Sequence, residues 1–192
     1  MKKQIITIAG ANGGGKSSTS KKVAKILGFE HFSSGDFMRA IAKENNITLE
    51  ELGKIAEKED WVDKKIDDYV KQVGSQEKAI IDSRLAFHFI PESFKVYLDL
   101  DPKIAAQRIL NDMKNNPARH LENEGQVESI EKMVEKSAKR LASERKRYFD
   151  LYGIKDHKNK ENFDLIVDTD KNNLEQVVDI VVKEYKKWAK EN

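Results

Sequence analysis

The sequence predicts an α/β fold built on a five-stranded parallel sheet covered by helices on both faces, and three observations carry that expectation. Short β-branched or aromatic clusters recur at Ile5 to Ala9, Phe29 to Phe32, Ala79 to Ile81, Phe94 to Leu98 and Leu165 to Val167. Their nearly continuous apolar character suits strands buried on both faces, and segments with apolar residues at helical spacing separate them. A glycine-rich turn follows the first cluster and opens directly into a helical pattern. Strand alternating with helix is the order that crossover connections impose.

The elements follow in turn. Val23, Ile26 and Leu27 give the first helix its apolar face. Residues 36–75 are helical throughout and too long for a plain crossover, so they are expected to stand off the sheet as a lobe. Within it Thr48 and Glu51 form a capping box before Leu49, Leu52 and Ile55, and Val62, Ile66, Tyr69, Val70 and Val73 line one face of a further helix. Asp101 followed by Pro102 is an N-cap with proline at the first helical position, opening a helix with Ile104, Ala105 and Ile109. Residues 112–128 are polar, with proline and glycine, and read as a lid loop feeding a long charged helix to about residue 152. Val177, Val178, Val181, Val182, Tyr185 and Trp188 mark the last helix.

The chain has 192 residues; at about 150 per domain this is one domain with an insertion. Lys plus Arg number 35 and Asp plus Glu 33, a net charge of +2. That balance argues against general nucleic-acid binding or a polybasic membrane surface, so any anion site must be local. The absence of cysteine excludes a disulfide framework, a thiolate nucleophile and Cys-ligated zinc, and suits a reducing cytoplasm. The apolar stretch after Met1-Lys2-Lys3 is too short for a signal peptide, and no run approaches the ~18 apolar residues of a membrane helix. A cytoplasmic monomer with no nucleic-acid or membrane partner is expected.

The first strand ends in Gly10-Ala11-Asn12-Gly13-Gly14-Gly15-Lys16-Ser17, which satisfies G-x-x-x-x-G-K-[ST] with a strand before it and a helix after it. Glycines let successive backbone amides turn inward around phosphate oxygens, and the helix N-terminus adds partial positive charge. Residues 10–18, Ser18 included, are the candidate ATP site; Lys16 is expected to reach the β- and γ-phosphates and Ser17 to ligate Mg²⁺. Asp82, at the end of the third strand, is a candidate for holding the Mg²⁺ shell through water, with a helix cap as the alternative.

A phosphate acceptor, largely dianionic at pH 7, needs charge neutralisation rather than a general base. Arg39 and Arg84 lie at the carboxyl ends of strands two and three, where doubly wound sheets bind ligands, and guanidinium forks match phosphate oxygens. The alternative is two surface ion pairs. Arg140 and Arg147, seven residues apart, share a helix face and are expected to act over the transferring group from the lid; the alternative is a solvated helix, since Glu144 is placed for i,i+4 pairing with Arg140. The histidines show no metal-ligand spacing. His88 is expected to be half-buried and hydrogen-bonded, and Trp61 to anchor the core or the lobe, with base stacking the alternative.

Taken together, ITIAGANGGGKSSTSKKVAKILG, HFSSGDFMR, ITLEELGKIAEKEDWVDKKID, IDSRLAFHFIP with FKVYLDLDP, RLASERKRYFDLYGI and FDLIVDT resemble the P-loop nucleoside monophosphate kinases, specifically the archaeal-type cytidylate kinases, over nearly the whole chain. The resemblance implies a three-layer P-loop fold with strand order 2-3-1-4-5, a nucleoside-monophosphate (NMP) lobe at 36–75, and transfer of the ATP γ-phosphoryl group to CMP or dCMP. It assigns Ser34, Gly35, Asp36, Arg39 and Arg84 to the acceptor nucleotide, and Lys16, Arg84, Arg140 and Arg147 to catalysis. Ser83, where relatives commonly carry glycine, and Asp67-Asp68-Tyr69, where they often carry basic or amide residues, depart from the pattern and bear on base selectivity. Asp63 and Asp67 fall on one helix face and suit an exocyclic amine such as cytosine's; solvated surface acids are the alternative. An adenylate- or shikimate-type kinase is the competing enzyme, and an ATPase switch the competing class.

Overall fold

The computed structural model describes residues 4–115 and 129–191. Strands β1 (Gln4–Gly10), β2 (Glu30–Ser33), β3 (Lys78–Asp82), β4 (Phe94–Asp99) and β5 (Leu165–Asp168) form one parallel sheet in the order β2-β3-β1-β4-β5. Most strands extend beyond their apolar clusters because the ladder also pairs polar ends, Gln4 with Lys78 and Asp99 with Asp168. The second strand starts one residue later than its aromatic cluster predicts. The Phe29 amide donates to the Ala24 carbonyl (3.0 Å) beyond the left-handed Gly28, so that residue completes the end of the preceding helix.

Helix α1 (Lys16–Leu27) packs on one face of the sheet beside α8 (Leu174–Glu191), burying Ile6, Ile8, Val96 and Leu98 against Val23, Val177 and Val181. On the other face Ile5 and Ile81 meet Val70 and Val73 of α4 (Trp61–Val73) and Ala86 of α5 (Ala86–Phe89). Each fully buried aliphatic side chain here contributes about 1.5–3 kcal/mol. Helices α2 (Ser34–Glu44), α3 (Leu49–Ala56) and α4 enclose a separate cluster of Ile41, Ala42, Leu52, Ala56 and Val62. Trp61 packs on that cluster and its indole N–H donates to Glu59.

Both cap signals act as expected. Thr48 accepts from the Glu51 amide (3.1 Å) while the Glu51 carboxylate accepts from the Thr48 amide (2.7 Å), and Asp101 accepts from the Lys103 amide (2.8 Å) at the start of α6 (Pro102–Asn115). Residues 112–115, expected as the beginning of a polar loop, complete the last turn of α6 instead. Met113 continues the apolar period and is buried against Met133 of α7 (Ile130–Tyr152), and Asn115 donates to the Asn111 carbonyl. The rest of the expected lid loop lies outside the described residues. His88 is also corrected: it is exposed on α5, with its ring edge-on to Phe89 at 5.1 Å. Among the described residues no helix is long and apolar enough to cross a membrane.

Candidate active site

The turn from β1 into α1 is shaped by contacts that only glycine permits. Gly10 has φ +144°, and a Cβ there would lie 2.5 Å from the Leu98 carbonyl oxygen; at Gly13, with φ +77°, it would lie 2.7 Å from that of Ala105. The loop is thus pressed against the end of β4 and the first turn of α6. No side chain caps α1, whose N-terminus opens into the loop at Gly15, Lys16, Ser17 and Ser18, the arrangement of an anion site. The Lys16 Nζ folds back over the turn and donates to the carbonyls of Gly10 and Ala11, both at 2.9 Å. Burial lowers its pKa to about 8, against the opposing pull of Asp82.

Asp82 ends β3 next to β1, tied by the Ser83 amide to the Ile8 carbonyl (3.1 Å). It caps none of the described helices. Its side chain is buried at 6% exposure, which raises its pKa, with Lys16 the largest opposing influence. Ser33, which ends β2 and caps α2, and Ser34, the first residue of α2, approach the carboxylate and the backbone carbonyl of Asp82 respectively. This places the Ser34-Gly35-Asp36 turn beside β3. Arg39, one turn into α2, pairs with Asp36.

Arg84 is no surface ion pair. Its Nη2 donates to Asn12 Oδ1 inside the glycine loop (2.8 Å), and its Nε lies 3.1 Å from the Glu144 carboxylate of α7. Arg140 approaches the other oxygen of that carboxylate at 2.9 Å. Glu144 itself is 4% exposed. Burial pushes its carboxyl up, but Arg84 and Arg140 outweigh that and hold it below the ordinary carboxylate range. The i,i+4 pair that the spacing offered is present with Arg140 half exposed, but its carboxylate is buried at a junction between β3, the loop and α7.

The two arginines on α7 part company. Arg147 lies two turns beyond Arg140 and pairs through Nε with Asp63 Oδ2 on α4 (2.7 Å), while its Nη1 donates to Ser143 (2.9 Å). The Asp67 carboxylate accepts from the Tyr152 hydroxyl. Asp63 and Asp67 are each 6% exposed, so neither is a solvated surface acid. Burial raises Asp67 to about 6, with the Tyr152 hydrogen bond opposing. Lys136 of α7 also approaches Glu50 of α3 (3.3 Å), so α7 is tied to the helical lobe at three points. A cleft of about 460 Å³ lies between them, lined by residues including Ala56, Asp60, Asp63, Ser143 and Arg147.

The fold therefore brings Lys16, Asp82, Arg84, Arg140 and the glycine loop to one end of the sheet, and it puts Asp63, Asp67 and Arg147 in the contact between α4 and α7. Glu144 and Tyr152 went unassigned from sequence; the available signal was their place on the inward face of α7, with Tyr148 one turn beyond Glu144 and buried. Among the described residues no group of three or more His, Asp or Glu is placed to hold a metal ion.

The AAA domain family matches residues 6–134. A cytidylate kinase of Methanosphaera stadtmanae is 32% identical over 180 residues, which is 93% of this chain and 96% of that protein. A cytidylate kinase of Pyrococcus horikoshii is 33% identical over 93% of this chain and 86% of its own. Among solved structures, shikimate kinase from Bacteroides thetaiotaomicron superposes with a TM-score of 0.66 at 14% identity, covering 95% of this chain and 98% of that one, a likeness of fold alone. The likeness to the cytidylate kinases covers 93% of this chain and most of each relative, and on that ground the chain belongs to the cytidylate kinase family of P-loop kinases.

Proposed function

We propose that the protein transfers the γ-phosphoryl group of ATP to a nucleoside monophosphate, CMP or dCMP in the first place. The observation that carries this is the juxtaposition at the sheet's end of an amide-lined loop holding Lys16 with a guanidinium group, Arg84, hydrogen-bonded to that loop through Asn12. A guanidinium fork held beside the loop suits a second phosphate group next to the donor's, as a monophosphate acceptor supplies. In the reaction a phosphate oxygen of the dianionic monophosphate attacks the γ-phosphorus, and the bond to the β-bridging oxygen breaks with its electron pair leaving on ADP. No base is required. The loop amides and Lys16 hold the donor phosphates, Arg39 and Arg84 orient the acceptor phosphate, and Arg140 stands over the transferring group.

The oxygen donors Ser17 and Asp82 suit Mg²⁺, which takes few protein ligands and keeps several waters. The hydroxyl would bind the ion, and the carboxylate its water. Bound with ATP, the ion supplies neutralisation of charge on the β- and γ-phosphates. Asp63 and Asp67 are assigned to the exocyclic amine of the base, and residues 36–75 to the acceptor lobe. A cytoplasmic monomer acting without nucleic acid or membrane completes the proposal, in keeping with the near-neutral charge and the absence of cysteine.

A coupled ADP-release assay across CMP, dCMP, UMP, AMP, GMP and shikimate tests it. CMP or dCMP is expected to be the best acceptor, and Lys16→Ala to abolish turnover. Phosphorylation of shikimate alone, or ATP hydrolysis indifferent to any monophosphate, would refute it.

A further inference from the structure

Between the glycine loop and α7 lies a buried carboxylate to which neither the motif nor the reaction assigns a task. Glu144 is 4% exposed, with Arg84 on one of its oxygens and Arg140 on the other. Buried ion pairs barely repay the desolvation of their charges, so stability alone is a weak reason for such a group. Its location supplies a better one. Arg84 is gripped at both ends, with Nε on Glu144 and Nη2 on Asn12 of the loop, which fixes the plane of its fork. Arg140 is half exposed, and the charge of Arg84 is the largest influence weakening its hold on its proton. Two guanidinium groups this close repel, and an anion between them is what keeps them together.

Resting on the kinase reading, we propose that Glu144 is the positioning residue of the transfer site: its carboxylate holds Arg84 and Arg140 side by side at the rim of the phosphate loop and offsets one of their two charges. The site is then aimed before substrate arrives without becoming a trap for any phosphate. An uncompensated pair would bind products and stray anions in the ground state, and binding that does not grow in the transition state adds nothing to turnover.

Steady-state kinetics with ATP and CMP, inorganic phosphate affinity by competition and calorimetry, and thermal midpoints would be compared for the wild type, Glu144→Gln and Glu144→Asp. For Glu144→Gln, kcat is expected to fall about 10- to 100-fold, the usual loss when an orienting partner is removed. KM for CMP should stay level or fall, and phosphate should bind at least about fivefold tighter, the low end of a coupling between bound groups. Glu144→Asp keeps the charge but is too short to span both arginines, so it should lose kcat without gaining phosphate affinity. A kcat within twofold of wild type in Glu144→Gln, or a raised KM with a lowered thermal midpoint and no gain in phosphate affinity, would overturn the proposal. Should Glu144→Gln not fold, the charge-matched pair Arg140→Gln with Glu144→Gln decides: phosphate affinity near wild type upholds the offset, and tightening sinks it. A wild type inactive on every monophosphate would refute the kinase reading instead, while the phosphate measurements would still report on Glu144.

Discussion

The ion pair between Asp63 and Arg147 joins the helical lobe to α7, and its removal has a calculable cost. Nε and Oδ2 are 2.7 Å apart, with the two side chains 17% and 8% exposed for Arg147 and Asp63 respectively. Charges about 4 Å apart attract by about 4 kcal/mol at an effective dielectric constant near 20. Desolvating both ions consumes most of that, so the pair as a whole is near neutral in stability. Removing one partner is different: for a fully buried pair it costs about 3–5 kcal/mol. Partial exposure and the Ser143 hydroxyl, which accepts from Arg147, reduce the expected cost of Asp63→Asn or Arg147→Met to about 2 kcal/mol each. The double variant removes both charges at once and should cost less than either single, about 1 kcal/mol, a coupling of about 3 kcal/mol. Urea unfolding of all four proteins with a common m-value measures it. Costs that add to within ~0.5 kcal/mol would show that the contact carries no energy. The same variants probe the acceptor: Asp63→Asn should lower the preference for CMP over UMP, whereas Arg147→Met should lower kcat/KM for both alike. An unchanged preference in Asp63→Asn removes that residue from base recognition.

Four further outcomes follow from the electrostatics and the backbone. Because Lys16 loses its proton near pH 8, kcat/KM for ATP should decline above that pH, and a flat profile to pH 9.5 would contradict the assigned contact with ATP. Its folded pKa lies below the unfolded value of 10.5, so the unfolded chain binds more protons between the two; stability relative to Lys16→Met should rise from pH 8 to 10.5. Asp67 has the opposite sign of shift for an acid: with a folded pKa near 6 the native state binds the extra proton between pH 3.8 and 6, so ionisation costs stability as pH rises through that window. Asp67→Asn should accordingly stabilise at pH 7.5 and lose that advantage near pH 4 in denaturant titrations; equal midpoints at pH 7.5 would refute it. Gly10→Ala drives a Cβ onto the Leu98 carbonyl and should abolish ATP binding, while Gly28→Ala, with φ +68° and nothing within 4 Å, should cost only about 1 kcal/mol of stability and leave kinetics unchanged. Intact ATP affinity in Gly10→Ala would show that the loop has room to move.

Much of this arrangement was legible in the chain. The five apolar clusters fall on the five strands, Thr48 and Asp101 cap the helices they announce, and the glycine signature places Lys16 at the end of β1 as its spacing demands. These features are local: each is set by a period, a cap or a φ value within about ten residues. The second strand slipped by one because Phe29 is both apolar enough for a strand and needed to close a helix. The loop boundary at residue 112 slipped because Met113 finds a partner, Met133, twenty positions away.

By itself the sequence determined the α/β alternation, the phosphate-binding turn and the supply of arginines near strand ends. Tertiary structure alone decided what those arginines face. A charge on a helix surface looks the same in sequence whether the opposing element offers water or a carboxylate, and only packing α7 against α4 and β3 buried Glu144 between Arg84 and Arg140 and set Asp63 against Arg147. The physical reason is that the interaction of a charged pair depends on separation and solvent access, and neither is fixed until elements distant in the chain have met.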